Sequence, residues 1–376
     1  MKEITVVLPC LNEEQSIGIC IDKIQKVYSD MKIDGEIIVV DNGSTDKSVQ
    51  IAASKKVRVL YEPAKGYGSA LRRGIDESSS KYIVMADSDD TYDFLELPGF
   101  IEKLREGYDL VMGSRFKGKI LPGAMTWSHQ YIGNPILSGM LRLFFGGTVS
   151  DSHCGLRGFS KEAYIKMGLH TTGMEFASEM VIHSMKKKLS IAEIPITYYP
   201  RKGESKLIGF RDAWRHMRFM LVYSPNYLFF IPASIIFALG FIMLIRLLFG
   251  PVFLFNRNWD LHVVVFSSML AILGWQLLNL WFAAKVYIHI IGVEETTFMK
   301  KVLDNIFTLE RAILAGAIIL VTGLLISGYI VLVWARGHFG ELAQLRTGIM
   351  SLTLIVMGLQ TIFTSFLTSI LQIKYR

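Results

Sequence analysis

Along the first 115 residues, short runs of β-branched and aliphatic residues alternate with longer stretches in which apolar residues recur every three or four positions. The short runs predict strands buried in a parallel sheet, and the longer stretches predict amphipathic helices. The predicted strands are 4–8, 36–40, 57–61, 82–86 and 110–112, and the predicted helices are 13–28, 45–54, 67–77 and 95–106. This alternation is typical of a doubly wound α/β sheet, whose ligands bind beyond the carboxyl ends of the strands.

The second half of the chain has a different pattern. Four windows contain no Asp, Glu, Lys or Arg: 219–245, 261–284, 312–335 and 347–373. Each exceeds the roughly 20 apolar residues that an α-helix needs to cross the hydrocarbon core of a bilayer. Composition agrees, because residues 1–219 carry 30 basic and 27 acidic residues, whereas residues 220–376 carry only 10 and 6. The sequence therefore predicts an α/β domain followed by four transmembrane helices.

Lysine and arginine residues flank the predicted spans unevenly. They are concentrated before the first span, between the second and third spans, and in the tail, whereas the two other loops carry few. The positive-inside rule predicts a multi-pass protein of the cell membrane whose α/β domain and both termini are cytoplasmic. The amino-terminal residues show no signal-peptide pattern, which favours the same side. The three cysteines fall outside any CxxC spacing, so we expect neither a disulfide framework nor a zinc site.

Polar clusters follow the first four predicted strands, at residues 9–13, 41–46, 65–68 and 87–90. Singly, such residues serve as turns and helix caps, but four clusters at one edge of a sheet indicate a ligand site. No GxGxxG pattern follows the first strand, which disfavours a dinucleotide site. In an extended segment, Asp87 and Asp89 point the same way, so the two carboxylates suit one hard cation, Mg²⁺ or Mn²⁺. The alternative is a solvated acidic loop.

Three further segments leave alternatives open. Residues 120–141 carry no charged side chain but are too interrupted by proline and glycine for a membrane span. They suit either an amphipathic segment in the lipid headgroup region or a buried connector. Residues 201–206 suit either a phosphate clamp or a membrane-surface anchor. Residues 209–223 have the spacing of an interfacial helix, with a structural connector as the alternative.

A turn-rich loop places an acid, a histidine and an arginine close together in the sequence, at Asp151, His153 and Arg157. Further along, Glu175 and Glu179 stand one helical turn apart. Side chains at this spacing share one helix face, so we expect both carboxylates to face the same cleft.

Taken together, these motifs resemble those of family-2 glycosyltransferases of GT-A fold, and most closely the polyprenyl-phosphate hexose synthases of the dolichyl-phosphate mannose and glucose synthase type. The likeness runs from Ile4 to about Ser224. It implies a Rossmann-like, mostly parallel GT-A domain over residues 1–203, a juxtamembrane amphipathic helix over 204–224 and a membrane domain over 225–376. It also implies a nucleotide-sugar donor, a polyprenyl-phosphate acceptor, Mg²⁺ or Mn²⁺, contact with membrane lipids and no nucleic-acid partner. A homo-oligomer is compatible with the sequence.

The resemblance assigns roles residue by residue. The residues expected to bind the nucleotide sugar are Pro9, Leu11, Glu13, Asp41, Lys65, Gly66, Asp87, Ser88, Asp89, Arg201, Ser205 and Lys206. The metal would be held by Asp87 and Asp89. The residues expected to bind the acceptor are Arg115, His129 and Arg201. Asp89, Arg115 and Asp151 would act in catalysis, and we expect Asp151 to orient the acceptor or the sugar instead of serving as an obligatory base.

Departures from the mannose-synthase pattern favour a glucose-type enzyme with a UDP-linked donor. Thr91 stands where a glutamine is often found, and His129 and Gly133 replace an acceptor-side arginine and serine. A GDP-mannose-dependent dolichyl-phosphate mannose synthase is the alternative. A processive polysaccharide synthase is disfavoured because residues 211–214 do not provide a QxxRW motif. A sugar-sensing lipid flippase is disfavoured because ionisable residues are sparse within the predicted spans.

Overall fold

The computed structural model describes residues 2–202, 209–254, 256–290 and 308–373, with the side chains of 209–213 left aside. The chain divides into two compact units, Met1–Met220 and Leu221–Arg376. The division falls within the predicted juxtamembrane helix. The boundaries predicted at residues 203 and 224 stay a prediction.

The first unit contains a sheet of seven strands and the helices that connect them. Its strands are β1 Ile4–Cys10, β2 Gly35–Asp41, β3 Arg58–Tyr61, β4 Tyr82–Met85, β5 Leu110–Ile120, β6 Arg157–Ser160 and β7 Ile191–Tyr198. Its helices are α1 Ile17–Asp30, α2 Ser48–Ser54, α3 Tyr67–Glu77, α4 Leu97–Arg105, α5 Asn134–Phe145, α6 Lys161–Met167, α7 Phe176–Lys186 and α8 Gly209–Val222.

The strand order is β3-β2-β1-β4-β6-β5-β7, and the first four strands are parallel to one another. Strand β6 is antiparallel to both β4 and β5, whereas β7 pairs with β5 in parallel. All five predicted strands are present. The burial predicted for residues 57–61 is wrong, because β3 is an edge strand and Tyr61 is 65% exposed. Strands β6 and β7 were not predicted.

Apolar side chains on both faces of the sheet form the core. On one face, Ile17, Ile21 and Ile24 of α1 belong to the same buried cluster as alternate residues of β1 and as Phe100 of α4. On the other face, α3 approaches the sheet closely at Gly74, where a Cβ would lie 2.4 Å from Val7. Helices therefore cover both faces, as the strand–helix alternation predicts.

The segment over residues 120–141 contains several elements. Strand β5 extends to Ile120, a short π-helical turn spans His129–Gly133, and helix α5 follows. One side of α5 is buried in the first unit through Leu137, Ser138 and Leu141. Its opposite side is exposed at Ile136 and Leu143, and both predicted alternatives for the segment stay open.

Among the described residues of the second unit, four helices are long and apolar enough to cross a membrane: Asn226–Leu248, Leu261–Ile290, Leu309–Arg336 and Leu345–Gln372. We label their α-helical parts α9 (Ile231–Leu248), α10 (Leu261–Ile290), α11 (Leu309–Arg336) and α12 (Leu345–Gln372). A hairpin of β8 Val252–Leu254 and β9 Arg257–Trp259 follows α9. Small residues allow close helix crossings, since a Cβ on Gly358 would lie 2.6 Å from Leu320. The prediction of a mostly parallel α/β domain followed by four apolar helices is confirmed.

Candidate active site

The polar loops at the carboxyl ends of β1, β2 and β4 are joined by hydrogen bonds. Ser88 Oγ donates to the carbonyl oxygen of Pro9 at 2.7 Å, which ties the end of β4 to the end of β1. The carboxylate of Asp41 accepts the N–H groups of Gly43 and Ser44 at 3.1 and 3.0 Å. Asp41 therefore shapes the loop after β2. Leu11, which is half-buried, lies in the loop after β1.

The start of α3 is fixed to the loop after β2. The N–H of Gly66 donates to Asn42 Oδ1 at 2.8 Å, and Lys65 Nζ donates to the Asn42 carbonyl oxygen at 2.7 Å. Gly66 has φ +140°, and a Cβ there would lie 2.2 Å from the Thr172 carbonyl oxygen. Only glycine fits this backbone conformation and this close approach. The predicted pair Lys65 and Gly66 thus opens a helix whose amino terminus faces the strand ends.

Asp87 and Asp89 follow β4, and their carboxyl groups have different neighbours. Burial, and then the neighbouring Asp89 charge, raise the pKa of the Asp87 carboxyl to about 7, although a hydrogen bond from the Tyr67 hydroxyl opposes the rise. Asp89 Oδ1 accepts the N–H and the hydroxyl of Thr91 at 3.1 and 2.6 Å. Thr91, which departs from the mannose-synthase pattern, therefore orients Asp89. The two acids form a site with an excess of negative charge.

Arg201, after β7, reaches back to the loops of β1 and β4. Its Nη1 lies 3.2 Å from Asp89 Oδ2, and its Nη2 lies 2.5 Å from Glu13 Oε1. Lys202 adds an ion pair with Asp90 at 2.6 Å. The structure thus brings together three sequence-predicted residues that are far apart in the chain. The two other residues predicted in this loop, Ser205 and Lys206, lie outside the described residues.

Arg115 and Asp151 form a buried, two-pronged ion pair. Arg115 Nε and Nη2 donate to Asp151 Oδ2 and Oδ1 at 2.7 and 2.8 Å, and the Arg115 backbone N–H lies 3.1 Å from Oδ2. Arg115 is 6% exposed and Asp151 is fully buried. The guanidinium also lies over the ring of Tyr198, 5.1 Å from its centroid. Because Arg115 engages both oxygens of Asp151, this geometry favours a positioning role for the acid.

The loop 151–157 is held by Arg157, which the sequence places near Asp151 and His153 without assigning it a role. Fully buried Arg157 donates to the carbonyl oxygens of Cys154, Ser152 and Ala177 and so ties the loop to α7. Burial, and then the neighbouring His216, hold the pKa of His153 well below its usual range. An arginine in a turn-rich loop was the available signal, but its burial was not visible in the sequence.

Asp87 and the Asp151 loop meet at Gly155. The N–H of Gly155 donates to the Tyr92 hydroxyl at 2.7 Å, and a Cβ on Gly155 would lie 2.8 Å from Asp87 Oδ2. The charges of Arg201 and Arg115 both act on the Asp87 carboxyl. The carboxyl groups of Asp87 and Asp89 and the guanidinium groups of Arg115 and Arg201 therefore lie close together at the end of the sheet.

Two predictions differ from the observed contacts. His129 is half-buried, and its Nδ1 lies 3.0 Å from Thr126 Oγ; in the described part of the chain it makes no hydrogen bond with the other candidate residues. The expectation that Glu175 and Glu179 share a cleft is wrong for Glu179, whose buried carboxylate accepts the N–H groups of His170 and Thr171. These hydrogen bonds occupy the Glu179 carboxylate, which therefore holds the loop that contains His170 and Thr171 in place.

Comparisons with known proteins agree with this architecture. Residues 5–168 match the family description Glycosyl transferase family 2, and residues 282–372 match Glycosyltransferase family 2 C-terminal transmembrane region. The chain therefore belongs to glycosyl transferase family 2. It is a membrane glycosyltransferase, and the family resemblance drawn from the motifs is confirmed.

Individual relatives are similar over different lengths. The low-salt glycan biosynthesis hexosyltransferase of Haloferax volcanii is 38% identical over 365 residues, which cover 97% of this chain and 88% of that protein. The dolichyl-phosphate hexose transferase of the same organism is 33% identical over 213 residues, 55% of this chain and 88% of that protein. Glucosyl-3-phosphoglycerate synthase from Mycobacterium tuberculosis, solved with Mn²⁺ and UDP-glucose, is 25% identical with a TM-score of 0.47, and the match covers 58% of this chain and 78% of that one.

Proposed function

We propose that this protein transfers a hexose, of glucose type, from a UDP-linked donor to a polyprenyl phosphate of the dolichyl or undecaprenyl class, with inversion at the anomeric carbon. The reaction would take place at the cytoplasmic face of the cell membrane. The observation that carries the proposal is the close approach of Asp87, across Gly155, to the loop that holds the buried Arg115–Asp151 pair. A diphosphate suits the acidic side once a cation is bound, and an acceptor phosphate suits Arg115.

The donor set fits a divalent cation. Burial, and then the neighbouring Asp89 charge, raise the pKa of Asp87 to about 7, and a cation would stabilise both carboxylates in their charged form. In the part of the chain that the structure describes, no group of three or more His, Cys, Asp or Glu residues could hold a metal. The protein would thus supply Asp87 and Asp89, and donor phosphate oxygens and water would complete the shell. When bound, the cation would stabilise negative charge on the departing nucleoside diphosphate.

The chain's own residues act on the two phosphates. The acceptor phosphate is ionised at neutral pH, so its oxygen can attack the anomeric carbon without strong base catalysis. The new carbon–oxygen bond forms as the bond to the nucleoside diphosphate breaks, and the electron pair leaves with UDP. Arg115, held in place by Asp151, pairs with the acceptor phosphate, and Arg201, released from Asp89 and Glu13, pairs with the donor diphosphate.

Two further observations support the choice of substrates. The relative described as a dolichyl-phosphate hexose transferase supports a polyprenyl-phosphate acceptor for this chain as well. The four apolar helices also support such an acceptor. A polyprenyl tail leaves the bilayer only at a cost of about 0.8 kcal/mol per exposed CH₂ group, so the enzyme that uses it has to be held at the membrane. Thr91 at the donor site and His129 in place of an arginine favour UDP-glucose over GDP-mannose.

The test is a product assay. Membranes containing the protein are incubated with radiolabelled UDP- and GDP-hexoses and one polyprenyl phosphate, in parallel with membranes containing Asp89→Ala and with wild type in EDTA. We expect one hexose on a chloroform-soluble lipid from the UDP donor, and none from either control. Transfer from GDP-mannose alone would establish the mannose-synthase alternative. A long water-soluble polymer would indicate a processive synthase, and the absence of any glycosylated product would refute the proposal.

A further inference from the structure

Glu193 of β7 is an acid to which neither the sequence motifs nor the proposed reaction gives a role, yet its side chain is only 6% exposed. It stands opposite Met112 in the parallel pair of β7 and β5. Glutamate is rarely buried to this extent unless its carboxylate is paired, because an unpaired charge is costly to remove from water. The partners of its two oxygens therefore explain why an acid lies at this position.

One oxygen of Glu193 holds the loop that carries Asp151. Oε1 accepts the backbone N–H groups of Ser150 and Asp151 at 2.7 and 3.3 Å, and it accepts the Ser150 hydroxyl at 2.9 Å. Hydrogen bonds to an ionised acceptor are roughly twice as strong as those between neutral groups. Glu193 therefore fixes the backbone of this loop at the residue whose side chain engages Arg115.

The other oxygen of Glu193 holds the segment that carries Arg115. The pairing of β5 with β7 is irregular there, since residues 115–118 stand opposite the single residue Ile196. Such a bulge interrupts the hydrogen bonds of the sheet and changes the direction of the side chains within it, so other contacts have to hold it in place. Lys117, which lies inside the bulge, donates from Nζ to Glu193 Oε2 at 2.6 Å.

Two serine hydroxyls join the same two segments. Ser114 Oγ, at the start of the bulge, lies 2.7 Å from Ser150 Oγ and accepts the Lys117 N–H at 3.1 Å. Ser150 Oγ in turn donates to Glu193 Oε1. The bulge and the loop are therefore linked to each other, and Glu193 contacts both.

We propose that Glu193 is a positioning residue that clamps together the segments carrying Arg115 and Asp151 and so sets where the Arg115 guanidinium meets the acceptor phosphate. Because Nε and Nη2 of Arg115 both donate to Asp151, the guanidinium moves whenever the loop moves. A shift of either segment alone would break the contacts of one Glu193 oxygen. The clamp is independent of the reaction, whereas its effect on the acceptor rests on the proposed function.

Steady-state kinetics of the full-length protein in membranes test the effect on the acceptor. Glu193→Ala removes the contacts of both oxygens, Glu193→Gln keeps one oxygen for the loop, and Lys117→Met removes only the ion pair. We expect Glu193→Ala to raise KM for the polyprenyl phosphate by about tenfold or more, since a displaced guanidinium loses hydrogen bonds to a charged group. KM for the nucleotide sugar should not change, and the two other variants should each have a smaller effect.

Glu96→Ala is the matched control, because the half-buried carboxylate of Glu96 accepts a backbone N–H of the same strand, that of Thr197. It should lower the melting temperature and leave KM for the acceptor unchanged. An unchanged acceptor KM in Glu193→Ala would overturn the proposal, and so would an equal rise in KM for the donor. A rise in Lys117→Met as large as that in Glu193→Ala would assign the effect to the charge of the lysine and would also overturn it.

Thermal unfolding in detergent tests the clamp without any substrate. Because Glu193 acts on the loop that carries Asp151, the effects of Glu193→Ala and Asp151→Asn should not add, and the double variant should unfold several degrees above the temperature expected from their sum. Additive effects would overturn the clamp. Glu193→Asp, whose shorter side chain cannot reach both segments, replaces Glu193→Ala in both measurements if that variant does not fold. A wild-type protein that glycosylates no prenyl phosphate would refute the proposed function, and the unfolding result would still decide the clamp.

Discussion

The Arg115–Asp151 pair makes a sharp prediction for the variant Asp151→Asn. The substitution keeps the shape of the side chain and removes its charge. It leaves the guanidinium of Arg115, 6% exposed, without its anionic partner. The Asp151 charge also acts on the fully buried Arg157, whose side chain donates its hydrogen bonds to backbone carbonyl groups. Two buried cations would then share no anion in the loop.

The magnitude follows from the burial of this pair. Removing one partner of a buried ion pair costs about 3–5 kcal/mol, because the remaining charge stays desolvated. For a unit of this size each kcal/mol lowers the melting temperature by about 2–4 °C, so we expect a decrease of about 10 °C. Glu106→Gln, which breaks the exposed pair with Lys103, is the matched control and should cost less than about 1 kcal/mol.

The assay is thermal unfolding of the full-length protein in detergent, followed by fluorescence, for Asp151→Asn, Arg115→Met and the double variant. If the two residues act as a pair, the double variant should be more stable than the sum of the single effects by about 2 kcal/mol or more. Turnover of the folded variants gives a second readout, and we expect a raised acceptor KM.

Two results would refute this reasoning. One is an Asp151→Asn protein that unfolds at the wild-type temperature, or single effects that add without coupling. The other is a folded Asp151→Asn protein that binds both substrates normally, turns over no product and has lost one limb of the pH–rate profile. That result would make Asp151 a catalytic base.

Three more predictions concern the donor side of the cleft. The pKa of Asp87 is raised in the folded protein to about 7, so protonation of this carboxyl stabilises the fold, and that contribution is lost as the pH rises from about 4 through 7. Asp87→Asn should therefore raise the melting temperature of the metal-free protein more at pH 8 than at pH 5. Calorimetry on the same variant should show loss of Mn²⁺-dependent UDP binding. Arg201→Gln should raise the donor KM by about tenfold or more, since a hydrogen bond to a charged group is lost. Lys202→Gln is the control and should have a smaller effect. Equal effects would contradict the proposed pairing of Arg201 with the donor diphosphate. Gly66→Ala should lower the melting temperature, because its Cβ would lie 2.2 Å from the Thr172 carbonyl oxygen; wild-type stability would show that this loop shifts freely.

The sequence predicts most of the elements because their signals are local. Buried strands such as β1 and β4 are continuous apolar runs, and the spans are long windows without charge. The polar clusters after the strands predict a ligand edge, since parallel strands bring their carboxyl ends together. Strand β6 escaped prediction because it has only four residues, begins with an arginine and is antiparallel to its neighbours.

The roles within the site depend on contacts between distant parts of the chain. Arg201 is 188 residues away from Glu13, and nothing in either segment predicts that the two meet. Similarly, the sequence shows the carboxyl group of Asp151 but not whether that group acts on a substrate or holds Arg115, which is 36 residues away in the chain.

By itself, then, the amino-acid sequence determined the α/β sheet, the four apolar helices and the sheet edge that carries the candidate site, because periodicity and turn residues act over a few positions. Only the tertiary structure decided which charges are buried together and which side of α5 remains uncovered. Burial and pairing arise from packing between segments that are remote in the chain, and that packing has no signature in any one of them.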